Sequence, residues 1–332
     1  MPWSEPATLA LIAVLALAAS AAGTAWARRY GLRGGLIDAP GERRSHAVPT
    51  PRGGGIGIAV VGLACLISLG AVVDRGWWWV AAGLLLVVGA GWWDDHRPAS
   101  PLLRLVLHAL AAGALATALV GWNAPPLQAA AGFLLVVGLV NVWNFMDGIN
   151  GLAASQGALC ALGLGLLSDG SAQMLAAATV AACLGFLPFN VPRARVFLGD
   201  VGSGAIGYLV AVLVARAVLD RPASAWGLLL LPASAFLVDA AMTLGWRALR
   251  RERWWTPHVQ HLYQRASRRY GHVRVTLAYA VWTIAVIAVM LAAIGLPPTG
   301  AWVVGLSTWM LPVVAWGRLH RRWSGAREGF GG

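Results

Sequence analysis

The chain contains no lysine. All 25 basic residues are arginine, against 13 acidic residues in 332. Only 11% of the residues are charged, where soluble domains carry about 25%. That scarcity excludes a chain whose surface is mainly wetted by water. Cysteine is scarce too. Cys65, Cys160 and Cys183 all fall inside apolar runs, are odd in number and form no CxxC pair. This excludes a disulfide framework and leaves them as small core residues. No stretch is long and polar enough for a separate soluble domain. No internal repeat of the inverted transporter kind is visible.

What the chain has is hydrocarbon. Hydrophobic residues make up 58%, and the mean hydropathy is +0.68. Eleven apolar runs stand at 7–27, 55–73, 77–93, 102–121, 128–145, 151–168, 171–189, 203–219, 224–245, 275–295 and 300–317. Most approach the ~20 residues that cross a bilayer core. The expectation is an all-α polytopic integral membrane protein with about eleven transmembrane helices, formed as a single domain over 1–332. The first run lacks a small-residue cleavage site and reads as a retained helix.

A net charge of +12 on a soluble protein would suggest nucleic acid. Here the arginines gather in 28–54, in 246–274 and in the C-terminal tail, while the turns at 74–76, 168–171 and 219–224 are close to neutral. The positive-inside rule explains this better than nucleic acid does. Eleven crossings put the N-terminus outside, the C-terminus in the cytoplasm and the arginine-rich loops all on the cytoplasmic side.

On that topology the polar residues collect on one face. Asp94 and Asp95 end the third run. Asn144 and Asp147 end the fifth. Asp200 precedes the eighth, and His258 and His261 lie between the ninth and tenth. Ionisable residues at membrane boundaries are costly and mark function. Oxygen ligands without thiolates suit Mg2+, with Mn2+ able to substitute. Carboxylates beside arginine and histidine at the cytoplasmic face suit a metal–diphosphate substrate. Structural alternatives stand beside this reading. Asp147 and Asp200 each sit where a helix could be capped, and Asp94–Asp95 could be a solvated helix end. The glycines after His46 could bring amides to an anion or form a plain loop. His258 and His261 would share a face if a helix began at Pro257. Asp239, inside the ninth run, is assigned no catalytic role and is expected to pair with a neighbouring helix.

Five stretches then carry a resemblance: RRSHAVPTPRGGGIGI at 43–58, GWWDDHRPASP at 91–101, NVWNFMDGINGL at 141–152, FLGDVGSGAIG at 197–207 and PHVQHLYQR at 257–265. In this order the chain resembles the polyprenyl-phosphate N-acetylhexosamine-1-phosphate transferases, which include the phospho-N-acetylmuramoyl-pentapeptide transferases. The resemblance covers about positions 30 to 275 closely. It implies transfer of a sugar-1-phosphate from a UDP-N-acetylhexosamine to undecaprenyl phosphate with release of UMP, at the cytoplasmic side of a bacterial inner membrane. Asp94, Asp95, Asp147 and Asp200 match the family's catalytic carboxylates, with Asp200, Asp94 and Asp95 implied as Mg2+ ligands. His46, Asn144, Phe197, His258, His261 and Arg265 are implied to bind substrate. The cytoplasmic segments would be 28–54, 94–101, 144–151, 190–202 and 246–274.

PHVQHLYQR departs from the pentapeptide transferases' histidine loop. It looks more like enzymes that initiate O-antigen and related surface glycans, which leaves the sugar open. The expected partners are the UDP-sugar, the lipid phosphate and membrane lipid, with no nucleic acid; a homodimer is compatible with such a chain. The rivals are a lipid-linked-glycan flippase, which would carry polar residues along mid-membrane positions, and a scaffold, which would need no polar face.

Overall fold

The computed structural model describes residues 5–38, 48–120, 126–219, 221–253, 256 and 258–325. It is built from helices, with one two-residue hairpin that pairs Ile37–Asp38 (β1) with Thr50–Pro51 (β2). The helices in chain order are α1 (Pro6–Gly34), α2 (Ile56–Val72), α3 (Gly76–His96), α4 (Pro101–Val120), α5 (Pro126–Phe145), α6 (Leu152–Gly165), α7 (Gly170–Asn190), α8 (Gly199–Leu219), α9 (Ala223–Leu229), α10 (Ser234–Leu249), α11 (Leu262–Tyr270), α12 (His272–Ala293) and α13 (Pro298–Gly325). Among the described residues, eight helical segments are long and apolar enough to cross a membrane, and three shorter apolar helices occupy the remaining runs.

The ninth run is two helices rather than one. A 3-10 turn at Leu231–Ala233 separates α9 from α10. Pro232 explains the break, because it lacks an N–H and its ring obstructs the preceding turn. The arginine-rich segments are also partly helical: α1 continues through residues 28–34, and 246–274 contains the end of α10, all of α11 and the start of α12.

α8 is the hub. It is apolar all round, as a fully buried helix should be, and nearly every residue from Val201 to Ala217 is buried. Helices α2, α3, α5, α6 and α7 pack around it. Gly91 of α3 makes one close approach possible, since a Cβ there would lie 2.5 Å from the Asp200 carbonyl oxygen. The outer helices show hydrocarbon where a soluble protein would show charge: Leu11, Leu15 and Leu306 are all about 60% exposed. The inward face of α1 carries small residues at four- and three-residue spacing, Ala16, Ser20, Thr24 and Ala27. Ser20 donates to the Ala182 carbonyl of α7 at 2.7 Å. This geometry brings the ends of α3, α5 and α8 to one end of the bundle.

Candidate active site

A cavity of about 1060 Å³ opens there. Its lining includes Asn144, Asp147 and Asp200 from the ends of α5 and α8, and His258, His261, Gln264 and Arg268 from the segment around the start of α11. Arg52, Arg104 and Asp38 add further charge, and Leu105, Val137 and Leu244 are among the apolar residues that line it.

The adjacent carboxylates of α3 do different work, because successive helical residues project about 100° apart. Asp95 is buried and turned inward. Its Oδ1 accepts the Asp200 N–H at 3.1 Å, its Oδ2 accepts the Val201 N–H at 3.2 Å, and the Arg52 Nε lies 3.4 Å from Oδ1. Asp95 therefore satisfies first-turn amides of α8 that have no helical partner. Gly199 makes the approach possible: its φ is +77°, and a Cβ there would sit 2.6 Å from the Asp95 Oδ2. Asp94 turns toward the rim, where it accepts the Ala99 N–H at 2.7 Å and the Arg104 Nη1 at 3.4 Å. The same Arg104 nitrogen is 3.7 Å from the Asp200 Oδ2.

Neither candidate capping role describes the cavity carboxylates. Asp95, rather than the Asp200 side chain, receives the α8 amides. The start of α6 is held by the Asn190 Oδ1, which accepts the Gly151 N–H at 2.5 Å. Asp147 instead lies half-buried on the cavity wall. Burial, and then the negative charges of Asp200 and Asp95, push its carboxyl well above the usual carboxylate range. Asn144 beside it donates to the Ser203 Oγ at 3.5 Å.

The glycine stretch is a packing device. The Gly54 N–H donates to the Phe197 carbonyl and the Gly55 N–H to the Leu198 carbonyl, both at 2.8 Å. Those amides are therefore committed to protein, and the anion-nest alternative is set aside for them. Phe197 reaches the cavity wall, and its own N–H donates to the Pro51 carbonyl at 2.8 Å. His46 lies outside the described residues.

His258 and His261 do meet, with ring centroids 4.8 Å apart, though not on a shared helix. α11 begins at Leu262, so a bend brings the rings together, and Pro257 lies outside the described residues. Burial first, then electrostatic interaction with His261 and Arg247, lower the His258 pKa to about 4, so the ring is neutral at pH 7. Arg265 is placed elsewhere. On α11 the cavity face carries Gln264 and Arg268, four residues apart. Arg265, about 100° around, turns toward α13, where its Nη1 lies 3.4 Å from the His320 Nδ1.

Three cavity cations fall outside the sequence-derived set: Arg52, Arg104 and Arg268. Arg104 carries the clearest signal, a charge inside an otherwise apolar run. Among the described residues, no three His, Cys, Asp or Glu side chains are arranged to hold a metal by themselves. The donors are nevertheless all oxygen, and Mg2+ is commonly held by one or two carboxylates together with substrate phosphates. Asp147 and Asp200, both on the cavity lining, fit that mode.

Residues 77–218 match Glycosyl transferase family 4. The chain is 30% identical over 323 residues to the decaprenyl-phosphate N-acetylglucosaminephosphotransferase of Mycolicibacterium smegmatis, covering 82% of this chain and 79% of that one. Against the Mycobacterium tuberculosis protein of the same name it is 29% identical over 321 residues, covering 82% and 80%. A shorter stretch of 98 residues, 28% of this chain and 30% of the relative, is 41% identical to the phospho-N-acetylmuramoyl-pentapeptide-transferase of Heliobacterium modesticaldum. The chain belongs to glycosyl transferase family 4, among the polyprenyl-phosphate N-acetylhexosamine-1-phosphate transferases.

Proposed function

We propose that the protein transfers an N-acetylhexosamine-1-phosphate from a UDP-sugar to undecaprenyl phosphate, releasing UMP and initiating a bacterial surface glycan. The observation that carries this reading is a single cavity whose lining combines carboxylates, arginines and apolar side chains. A diphosphate needs cations, a metal bridging it needs carboxylates, and a lipid phosphate needs a route along hydrocarbon. The names of the long-matching relatives join a polyprenyl phosphate to N-acetylglucosamine, so UDP-N-acetylglucosamine is the first donor to test. The segment His258–Arg265 is the reason to test deoxy-N-acetylhexosamines beside it.

In the proposed step an oxygen of the lipid phosphate attacks the sugar-bearing phosphorus. A new P–O bond forms there, and the bond to the bridging oxygen breaks. UMP leaves with that electron pair. The attacking phosphate is already ionised near pH 7, with a second pKa of about 6, so no side chain has to remove a proton. Arg52, Arg268 and the neutral His258 offer donors to phosphate oxygens. Asp147 and Asp200 would hold Mg2+, which when bound would neutralise the diphosphate charge. Asp95 keeps Asp200 in place.

The proposed orientation follows the arginines: N-terminus outside, C-terminus and cavity in the cytoplasm of the inner membrane. The test is a donor screen with purified protein, undecaprenyl phosphate and a panel of UDP-sugars. UMP and a lipid-linked sugar appearing together, for at least one donor, support the reading. UMP release from none of the panel contradicts it.

A further inference from the structure

Resting on the proposed reaction, we propose that Asp239 is the positioning residue of the donor segment. It fixes the backbone on which His258, His261 and Gln264 face the cavity. Asp239 sits in α10, is 2% exposed and is not part of the cavity wall. It nevertheless receives four hydrogen bonds. Its Oδ1 accepts the Leu262 N–H at 2.8 Å and the Thr243 Oγ1 at 3.1 Å. Its Oδ2 accepts the Tyr263 N–H and the Tyr279 hydroxyl, both at 3.0 Å. The His261 Nδ1 lies 3.8 Å from Oδ1.

One side chain thus joins α10, the start of α11 and α12. The two amides it holds are the first of α11, which have no helical partner and which favour a negative charge. α11 has nine residues, too few to stay helical on its own. Its position must come from such ties. A second tie extends to the end of α5. The buried Tyr263 donates its hydroxyl to the Phe145 carbonyl at 2.9 Å, two residues before Asp147, and a Cβ on Gly148 would collide with that hydroxyl. The donor segment is thus tied to α10 by Asp239 and to the end of α5 by Tyr263.

A carboxylate suits this post because its two oxygens both accept. An asparagine in the same space presents one acceptor and an NH2 group, which would face donors. Burying a charge costs several kcal/mol, more than packing alone would warrant. Misplacing a positioned substrate group by about 1 Å costs on the order of a hundredfold.

The test compares wild type with Asp239→Asn and Tyr279→Phe, as full-length protein in detergent. One arm measures backbone hydrogen exchange of the segment 258–265. The other measures KM for UDP-N-acetylglucosamine and for undecaprenyl phosphate separately. Asp239→Asn is expected to lose protection at Leu262 and Tyr263. Its donor KM should rise about tenfold or more, with the acceptor KM within about twofold. Tyr279→Phe should move both readouts the same way, by less. A residue that only stabilises the bundle would lower the yield of active enzyme and leave both KM values alone. Unchanged protection, or donor and acceptor KM moving together, overturns the proposal. If Asp239→Asn does not fold, Tyr279→Phe decides by the same criteria. A wild type that releases no UMP defeats the proposed reaction instead, and the exchange arm still decides whether Asp239 is the anchor.

Discussion

Asp95 holds the helix that presents Asp200: its two carboxylate oxygens accept the backbone N–H groups of Asp200 and Val201 at 3.1 and 3.2 Å. The neighbouring Asp94 does not reach the α8 amides; it accepts the single Ala99 N–H at 2.7 Å and meets Arg104. Asp95→Asn should therefore destabilise the protein by about 2 kcal/mol, since charged hydrogen bonds of this kind contribute about 1.5–3 kcal/mol. Asp94→Asn should cost less, about 1 kcal/mol, because it holds one amide outside α8 and its Arg104 pair is partly exposed. Thermal unfolding of both variants in detergent measures the difference, and equal losses would refute the division of labour.

Gly91 and Gly89 lie one turn-half apart on α3 and should respond oppositely to alanine. A Cβ on Gly91 would press on the Asp200 backbone at 2.5 Å, whereas at Gly89 nothing lies within 4 Å. Gly91→Ala should cost about 1–3 kcal/mol and reduce turnover by displacing Asp200. Gly89→Ala should be neutral or stabilising by about 0.5–1 kcal/mol. Unfolding midpoints and UMP release on both variants check this.

His258 should leave a mark on acid stability. Its folded-state pKa, about 4, lies below its ordinary 6.5. Between those values the unfolded chain binds the proton more tightly, so stability rises with pH. The contribution is complete above about pH 6.5, is lost as pH falls toward 4, and is flat below that. Unfolding midpoints from pH 4 to 7 should show a shallower slope for His258→Gln than for wild type. Identical slopes would contradict a neutral, half-buried ring.

The proposed topology places the turn before α7 outside and the start of α12 in the cytoplasm. Asp169 and Arg274 are both exposed, so cysteines introduced there should react. In intact cells an impermeant thiol reagent should label Asp169→Cys and spare Arg274→Cys until the membrane is opened. Labelling of Arg274→Cys from outside would reverse the orientation.

The helices were legible because hydrocarbon-spanning runs announce themselves by length and apolarity. The site's carboxylates were legible because charge at the end of such a run is costly without a purpose. Asp94 and Asp95 looked alike in sequence because their difference is one of direction around a helix. Arg265 looked like a phosphate ligand for the same reason, since its type was readable and its facing was not. Asp239 stood out as a charge inside an apolar run, and its expected pairing with a neighbouring helix is what the structure shows, but its partners at Leu262, Tyr263 and Tyr279 are 23 to 40 residues away and could not be read from the sequence. Pro232 did carry a visible reason for splitting the ninth run, but apolar continuity masked it.

The most direct test of the proposed chemistry is UMP release by Asp200→Asn across a magnesium titration, with thermal unfolding as the control for folding. Asparagine keeps the size and removes the charge, and Asp95 rather than this side chain holds the α8 amides. The variant should therefore keep a near-wild-type unfolding midpoint while losing on the order of a hundredfold or more in turnover, with partial recovery at high magnesium and wild-type activity abolished by EDTA. Near-wild-type turnover of Asp200→Asn at low magnesium would contradict a metal-binding role for Asp200 and, with it, the proposed site.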